Sequence, residues 1–208
     1  MINFELIKKN NVELVAASKT RTIEEIKKLN ETGAVSAFGE NRVQEMLSKY
    51  DPKFVWDFIG RLQTNKVKYI IDKVRLIQSV DRINLLEEIN KQAEKIGKVQ
   101  KILIEINSGN EENKGGLAVE DAENFAKIVQ NYKNVELLGI MAVAPFDIAD
   151  NELKVLFTNV KDVYNNIKKT YKTVKYLSMG MSDDHELAIE CGSNMVRIGT
   201  ALFSSKRI

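Results

Sequence analysis

The stretch Val12-Glu13-Leu14-Val15-Ala16-Ala17-Ser18-Lys19-Thr20 decides the fold. Its nearly unbroken apolar run suits a strand buried on both faces, as in a parallel sheet covered by helices. It opens into Ser18-Lys19-Thr20, whereas a doubly wound open sheet would normally want a glycine-rich first turn. Runs of the same kind follow at 34–39, 54–60, 75–80, 101–107, 136–144, 175–181 and 195–202, which makes eight. Helical patterns lie between them. Thr22 with Glu25 reads as a capping box ahead of Ile26 and Leu29. Asp81 reads as the cap of a helix carrying Ile83, Leu86, Ile89, Ala93 and Ile96 on one face, with Gly97 as its stop. Leu153, Leu156, Val160, Val163 and Ile167 mark a third helix.

Eight strands alternating with helices predict a single α/β domain over residues 1–208, a (β/α)8 TIM barrel, with the doubly wound sheet as the alternative. A chain of 208 residues is short for a barrel, so the helices nearest the chain ends are expected to be truncated. The 31 basic and 29 acidic residues leave a formal net charge of +2 and are spread along the chain. That pattern argues against nucleic acid as a partner. No apolar stretch approaches the roughly 20 residues a membrane span needs, and Lys8 and Lys9 interrupt any signal-peptide core. A cytoplasmic monomer is expected. The one cysteine, Cys191, reads as a small core hydrophobe.

Lys19 ends the first run and is a candidate nucleophile. An amine among apolar walls loses its proton more easily and can condense with an aldehyde. Read alone, it is equally a solvated charge capping a strand. The two last runs bear on that choice. Ser178-Met179-Gly180-Met181-Ser182 and Arg197-Ile198-Gly199-Thr200 combine hydroxyl donors with glycines that let backbone N–H groups approach an anion, which suits a phosphate. In a barrel, the loops after strands seven and eight often hold phosphate at the end where strand one also opens.

The strings VAASKT (15–20), FGENRVQE (38–45), FIGRLQTNK (58–66), IQSVDR (77–82), IEINSGNEENKGG (104–116), GIMAVAP (139–145), LSMGMSDD (177–184) and VRIGTALF (196–203) occur in this order along nearly the whole chain. Together they resemble the YggS/PROSC-type pyridoxal phosphate homeostasis proteins, whose barrel is similar to the N-terminal domain of alanine racemase. The resemblance implies pyridoxal 5′-phosphate held as an internal aldimine on Lys19, with Arg197 facing the pyridine nitrogen. It further implies Ser182, Gly199 and Thr200, helped by Ser178, around the phosphate, and Asn41 near the ring. A guanidinium can only donate hydrogen bonds, so it would keep that nitrogen unprotonated and weaken the ring as an electron sink.

Intracellular homeostasis of pyridoxal phosphate, with delivery to apo enzymes that use it, is therefore the expected function. An amino-acid racemase or lyase is the alternative, and a cofactor-free Schiff-base aldolase is a third reading that leaves Arg197 unexplained. A racemase needs proton-transfer groups on both sides of the substrate carbon, and only Lys19 is evident in the sequence. His185 reads as a solvated first-turn residue. Asp57 and Arg61 depart from the family pattern, which more usually has a histidine at the first position, and the N-terminal helix of relatives is nearly absent. Gln63, Asn65 and Lys66 belong to a family motif but read locally as a polar helix start.

Overall fold

In the computed structural model, which describes residues 2–109, 115–145 and 147–204, each apolar run forms a strand. These are β1 (Glu13–Ala17), β2 (Ala37–Glu40), β3 (Trp56–Phe58), β4 (Leu76–Val80), β5 (Gln100–Asn107), β6 (Val135–Val143), β7 (Tyr176–Ser178) and β8 (Met195–Ile198). All pair in parallel in chain order, and β8 returns to β1 to close the barrel. Several strands are shorter than their runs because the last apolar residues of a run form the turn that leaves the barrel. The final run divides this way, with β8 ending at Ile198 and a short helix, α8 (Thr200–Ser204), following it.

Strand alternation explains why the runs lack polar gaps. In β1, Leu14 and Ala16 face the helices, while Val15 enters an interior cluster with Leu76, Leu103, Leu138, Met141 and Met195. Both faces are dry, so both must be apolar. The outer layer contains α2 (Ile23–Glu31), α3 (Val43–Ser48), α4 (Ile83–Lys95), α5 (Ala122–Val129), α6 (Asp150–Thr170) and α7 (His185–Glu190). The Thr22–Glu25 capping box forms in both directions at the start of α2. In α6 the buried stripe is Leu153, Phe157, Val160, Tyr164 and Ile167, with Leu156 and Val163 at its margin.

Two sequence expectations are corrected here. Asp81 does not cap α4; the N-cap is Arg82, and the Asp81 carboxylate instead accepts from Arg82 and from the Gly116 N–H. The N-terminal helix is present as α1 (Phe4–Lys9), one side of which buries Ile7. Asn3, just before it, meets His185 and Glu186 at the start of α7, and the end of α1 leads into β1. The helix therefore runs against the strand direction on the outside of the barrel, in the same layer as α7. At the other chain end, the expectation of a truncated helix falls partly on residues 205–208, which lie outside the described residues.

Candidate functional site

Lys19 lies in the turn after β1, where Thr20 takes a left-handed φ of 63°. The turn is held from below by a second lysine. Lys49, just after α3, is buried, and its ammonium donates to Ser18 O at 2.7 Å and Arg21 O at 3.3 Å while pairing with Glu40 at 2.7 Å and Glu45 at 3.0 Å. The Ser18 hydroxyl also donates to Glu40, at 2.6 Å, and the Thr20 N–H donates to Glu45. With its donors engaged by carboxylates and carbonyls, Lys49 is held in place and is a poor nucleophile. Lys19 contrasts with it. Its side chain is exposed, and its amine has no hydrogen-bond or ion-pair partner among the described residues. The apolar walls that the sequence suggested around Lys19 are thus absent; the residues around its turn position it without enclosing it.

The two glycine turns lie beside this one. Gly199 is level with Ala17, and a Cβ at Gly199 would stand 3.3 Å from Ala17 O, a tight approach that the backbone of β1 would have to ease. Arg21 stacks over the Phe203 ring of α8 at 5.1 Å, tying the Lys19 turn to the chain after β8. Gly180 has φ +98° and accepts from the Arg197 N–H at 3.0 Å, which joins the β7 turn to β8. Among the described residues, the backbone N–H groups and hydroxyls of Ser182 and Thr200 have no acceptor. Ser182 is half-buried and Thr200 is exposed. Unused donors are thus gathered at the C-terminal ends of β7 and β8, the kind of group an anion recruits. α7 begins only at His185 and spans six residues, so the turn itself supplies these donors.

Arg197 and Ser178 sit deeper. Arg197 donates through Nη1 to Ser178 O at 2.9 Å and Ser178 Oγ at 2.7 Å, and through Nη2 to Ala142 O at 2.8 Å. Three of its five N–H donors are used, leaving two for a ligand. Burial, against the favourable charges of Glu105 and Asp184, brings its guanidinium down to about 10, so it is charged at neutral pH. The Ser178 hydroxyl is committed inside the barrel, accepting from Arg197 and donating to Gln78 Oε1 at 2.7 Å. Its contact is with Arg197, while the unused donors belong to Ser182 and Thr200.

At the mouth, a cavity of about 190 Å³ is lined in part by Asn41, Arg61, Glu105 and Asn107. Asn41 Oδ1 and Glu105 Oε2 are buried acceptors without a partner. Burial, and then the charge of Asp81, pushes the Glu105 carboxyl up to about 7. The sequence singled out neither Glu105 nor Lys49. The alternation Ile104-Glu105-Ile106-Asn107 was a usable signal, since it directs Glu105 and Asn107 to one face. Lys49 had no such signal.

His185 is 3% exposed, so the solvated role read from its sequence neighbours is overturned. Its Nε2 accepts from the Asn3 N–H at 3.4 Å, which puts the proton on Nδ1, facing Ser182 O at 3.2 Å. The arrival of α1 buries it. Cys191 is buried, as expected. Gln63 precedes a 3-10 helix at Thr64–Tyr69, and residues 110–114 of the fifth motif lie outside the described residues. No helix of the described residues is long and apolar enough to cross a membrane.

Comparison with known proteins agrees with this architecture. The family described as alanine racemase, N-terminal domain, matches residues 3–206. A pyridoxal phosphate homeostasis protein of Aquifex aeolicus is 43% identical over 203 residues, spanning 95% of this chain and 89% of that protein. The chain belongs to the pyridoxal phosphate homeostasis protein family, within the alanine racemase N-terminal-domain group. A second member of this family, from Haemophilus influenzae, is 37% identical and covers 95% of the chain and 86% of its own length. The structure of PipY from Synechococcus elongatus with pyridoxal phosphate bound superposes with a TM-score of 0.83 at 27% identity, covering 97% of this chain and 99% of PipY. An alanine racemase of Clostridium difficile shares the fold at 17% identity, with a TM-score of 0.76 over 98% of this chain and 58% of the racemase.

Proposed function

We propose that this protein binds pyridoxal 5′-phosphate at the barrel mouth and serves its homeostasis, holding the reactive aldehyde and releasing it to apo enzymes, as a cytoplasmic monomer. The observation that carries the reading is the meeting of an unpartnered amine on Lys19 with unused N–H and hydroxyl donors on Ser182 and Thr200, at adjoining strand ends. The donor set fits the cofactor. Ser182 and Thr200, beside Gly199, would hold the phosphate, and Arg197, with two N–H groups left over from its bonds to Ser178 and Ala142, would donate to the pyridine nitrogen. Asn41 Oδ1 is an acceptor awaiting a donor near the ring. When bound, the cofactor supplies an aldehyde whose carbonyl carbon bonds to an amine nitrogen with loss of one water. Lys19 provides that amine, Lys49 and Glu45 hold its turn, and Arg197 denies the ring nitrogen a proton.

The test is to load the protein, remove free cofactor by gel filtration and record the near-visible spectrum, then reduce with borohydride and map the modified peptide. A retained band with the adduct on Lys19 is expected. A colourless protein overturns the reading, and an adduct mainly on another lysine overturns the assignment of Lys19. Delivery is tested by mixing loaded protein with apo enzymes in the presence of a scavenger of free aldehyde, where continued transfer is expected.

A second reading, an amino-acid racemase or lyase, is favoured by one observation. Glu105, pushed up to about 7 at the same mouth, has an affinity for protons suited to acid–base work. Solvent-deuterium incorporation at the α-carbon, followed by NMR with chiral analysis, separates the two. Rapid loss of chirality, far faster than with free pyridoxal phosphate, would promote the enzyme.

A further inference from the structure

Arg197 is a buried cation without a carboxylate against it. The acceptors of its hydrogen bonds are neutral, namely Ser178 O, Ser178 Oγ and Ala142 O. Followed outward from Ser178, however, the hydrogen bonds continue. Ser178 Oγ donates to Gln78 Oε1 at 2.7 Å, and Gln78 Nε2 donates to Asp57 Oδ2 at 2.9 Å. Asp57 is held in a two-pronged pair by Arg75, Nε to Oδ1 at 2.9 Å and Nη2 to Oδ2 at 2.7 Å. Arg75 also meets Glu13 at 2.9 Å, and Glu13 accepts from the Tyr176 hydroxyl at 2.6 Å. This row passes through the barrel to the N-terminal ends of β1, β4 and β7.

The row has a fixed direction. Burial pushes the Asp57 carboxyl up while Arg75 pulls against it, and the oxygens receive three donors, the arrangement of a carboxylate. An acceptor-only group obliges Gln78 to turn its NH2 toward Asp57 and its oxygen toward Ser178. The Ser178 proton is then spent on Gln78, and lone pairs face Arg197. Asp57, Gln78 and Ser178 are each 0% exposed, so solvent cannot replace a missing link.

We infer that Asp57 is a positioning residue for Arg197, setting from the far side of the barrel, through Gln78 and Ser178, how the guanidinium is presented at the mouth. The part of this inference that concerns cofactor rests on the function proposed above. A purely structural Asp57, serving only Arg75, would affect stability and leave Arg197 unmoved.

The test uses the full chain labelled with 15N-arginine and free of cofactor, with the Arg197 side-chain N–H signals assigned by their loss in Arg197→Lys. Slow rotation of the guanidinium is expected in the unaltered protein, with a changed resonance and faster rotation in Asp57→Asn, Gln78→Met and Ser178→Ala. Affinity for pyridoxal phosphate should fall about tenfold in Asp57→Asn, the scale of one lost orienting hydrogen bond. Folded Asp57→Asn and Gln78→Met proteins with unchanged Arg197 signals overturn the inference. Should Asp57→Asn not fold, Gln78→Met decides, since it keeps both charges of the Asp57–Arg75 pair. Should the unaltered protein not retain the cofactor, the proposed function fails, and the NMR result still decides the role of Asp57.

Discussion

The ammonium of Lys49 donates to the carbonyl oxygen of Ser18 at 2.7 Å, so the turn that presents Lys19 rests on a second, buried lysine. The two amines are thereby given different chemistry. One is saturated with acceptors, while the other has no partner among the described residues.

Replacing Lys49 should expose that dependence. Lys49→Met leaves Glu40 buried without its cation, and breaking a buried pair in this way costs about 3–5 kcal/mol. Burial already pushes the Glu40 carboxyl up, against the pull of Lys49, so without the lysine it takes up a proton more readily and the deficit shrinks toward acid pH. Urea unfolding at several pH values measures this, with Lys49→Met/Glu40→Gln expected to recover part of the loss. A variant as stable as the parent at pH 7 would refute the clamp.

Lys19→Ala should abolish the near-visible band of the loaded protein and leave a folded chain that still retains some cofactor through Ser182 and Thr200. Because Lys49 is engaged, borohydride should not transfer the adduct to it. Mass spectrometry of the reduced, digested variant checks both statements, and a full band persisting in Lys19→Ala would contradict them.

Ser182→Ala and Thr200→Val should each weaken cofactor binding by roughly ten- to a hundredfold, since each removes a hydrogen bond to a charged phosphate of about 1.5–3 kcal/mol. Unfolding midpoints should hardly move, because neither hydroxyl has a protein partner among the described residues. Titration by absorbance provides the affinities. Unchanged binding in both would relocate the phosphate.

Glu105 predicts a pH dependence of the cofactor-free fold. Burial, followed by the charge of Asp81, raises its carboxyl from the ordinary 4.5 to about 7. Between those values the unfolded chain has released the proton that the folded chain retains. Stability from this group is thus complete below about 4.5 and lost as pH rises through about 7. Glu105→Gln should flatten that slope and raise stability at pH 8, by at most about 3 kcal/mol. Parallel curves for variant and parent, measured from pH 5 to pH 8 by urea unfolding, would count against a strained carboxylate at the mouth.

The sequence alone determined the features whose causes are local. The Thr22–Glu25 box closes within one helical turn, so it could be read directly. The eight runs were legible because the two faces of each strand are both dry, and Ser18-Lys19-Thr20 marked a strand end because the apolar run stops there. The same regularities placed Lys19, Gly199 and Thr200 at strand ends without saying what surrounds them.

Only the tertiary structure decided which polar groups are buried and what they face. His185 looks solvated among Ser182, Asp183, Asp184 and Glu186, and is covered by a segment 182 residues away. Lys49 stands between Ser48 and Tyr50 with no local sign that it closes the Lys19 turn. Ser178 and Gln78, 100 residues apart, join Arg197 to Asp57 only because the barrel closes. Periodicity comes from backbone geometry and is written into neighbouring positions. Desolvation and charge pairing depend on whatever the fold brings alongside, and no single stretch of chain contains that.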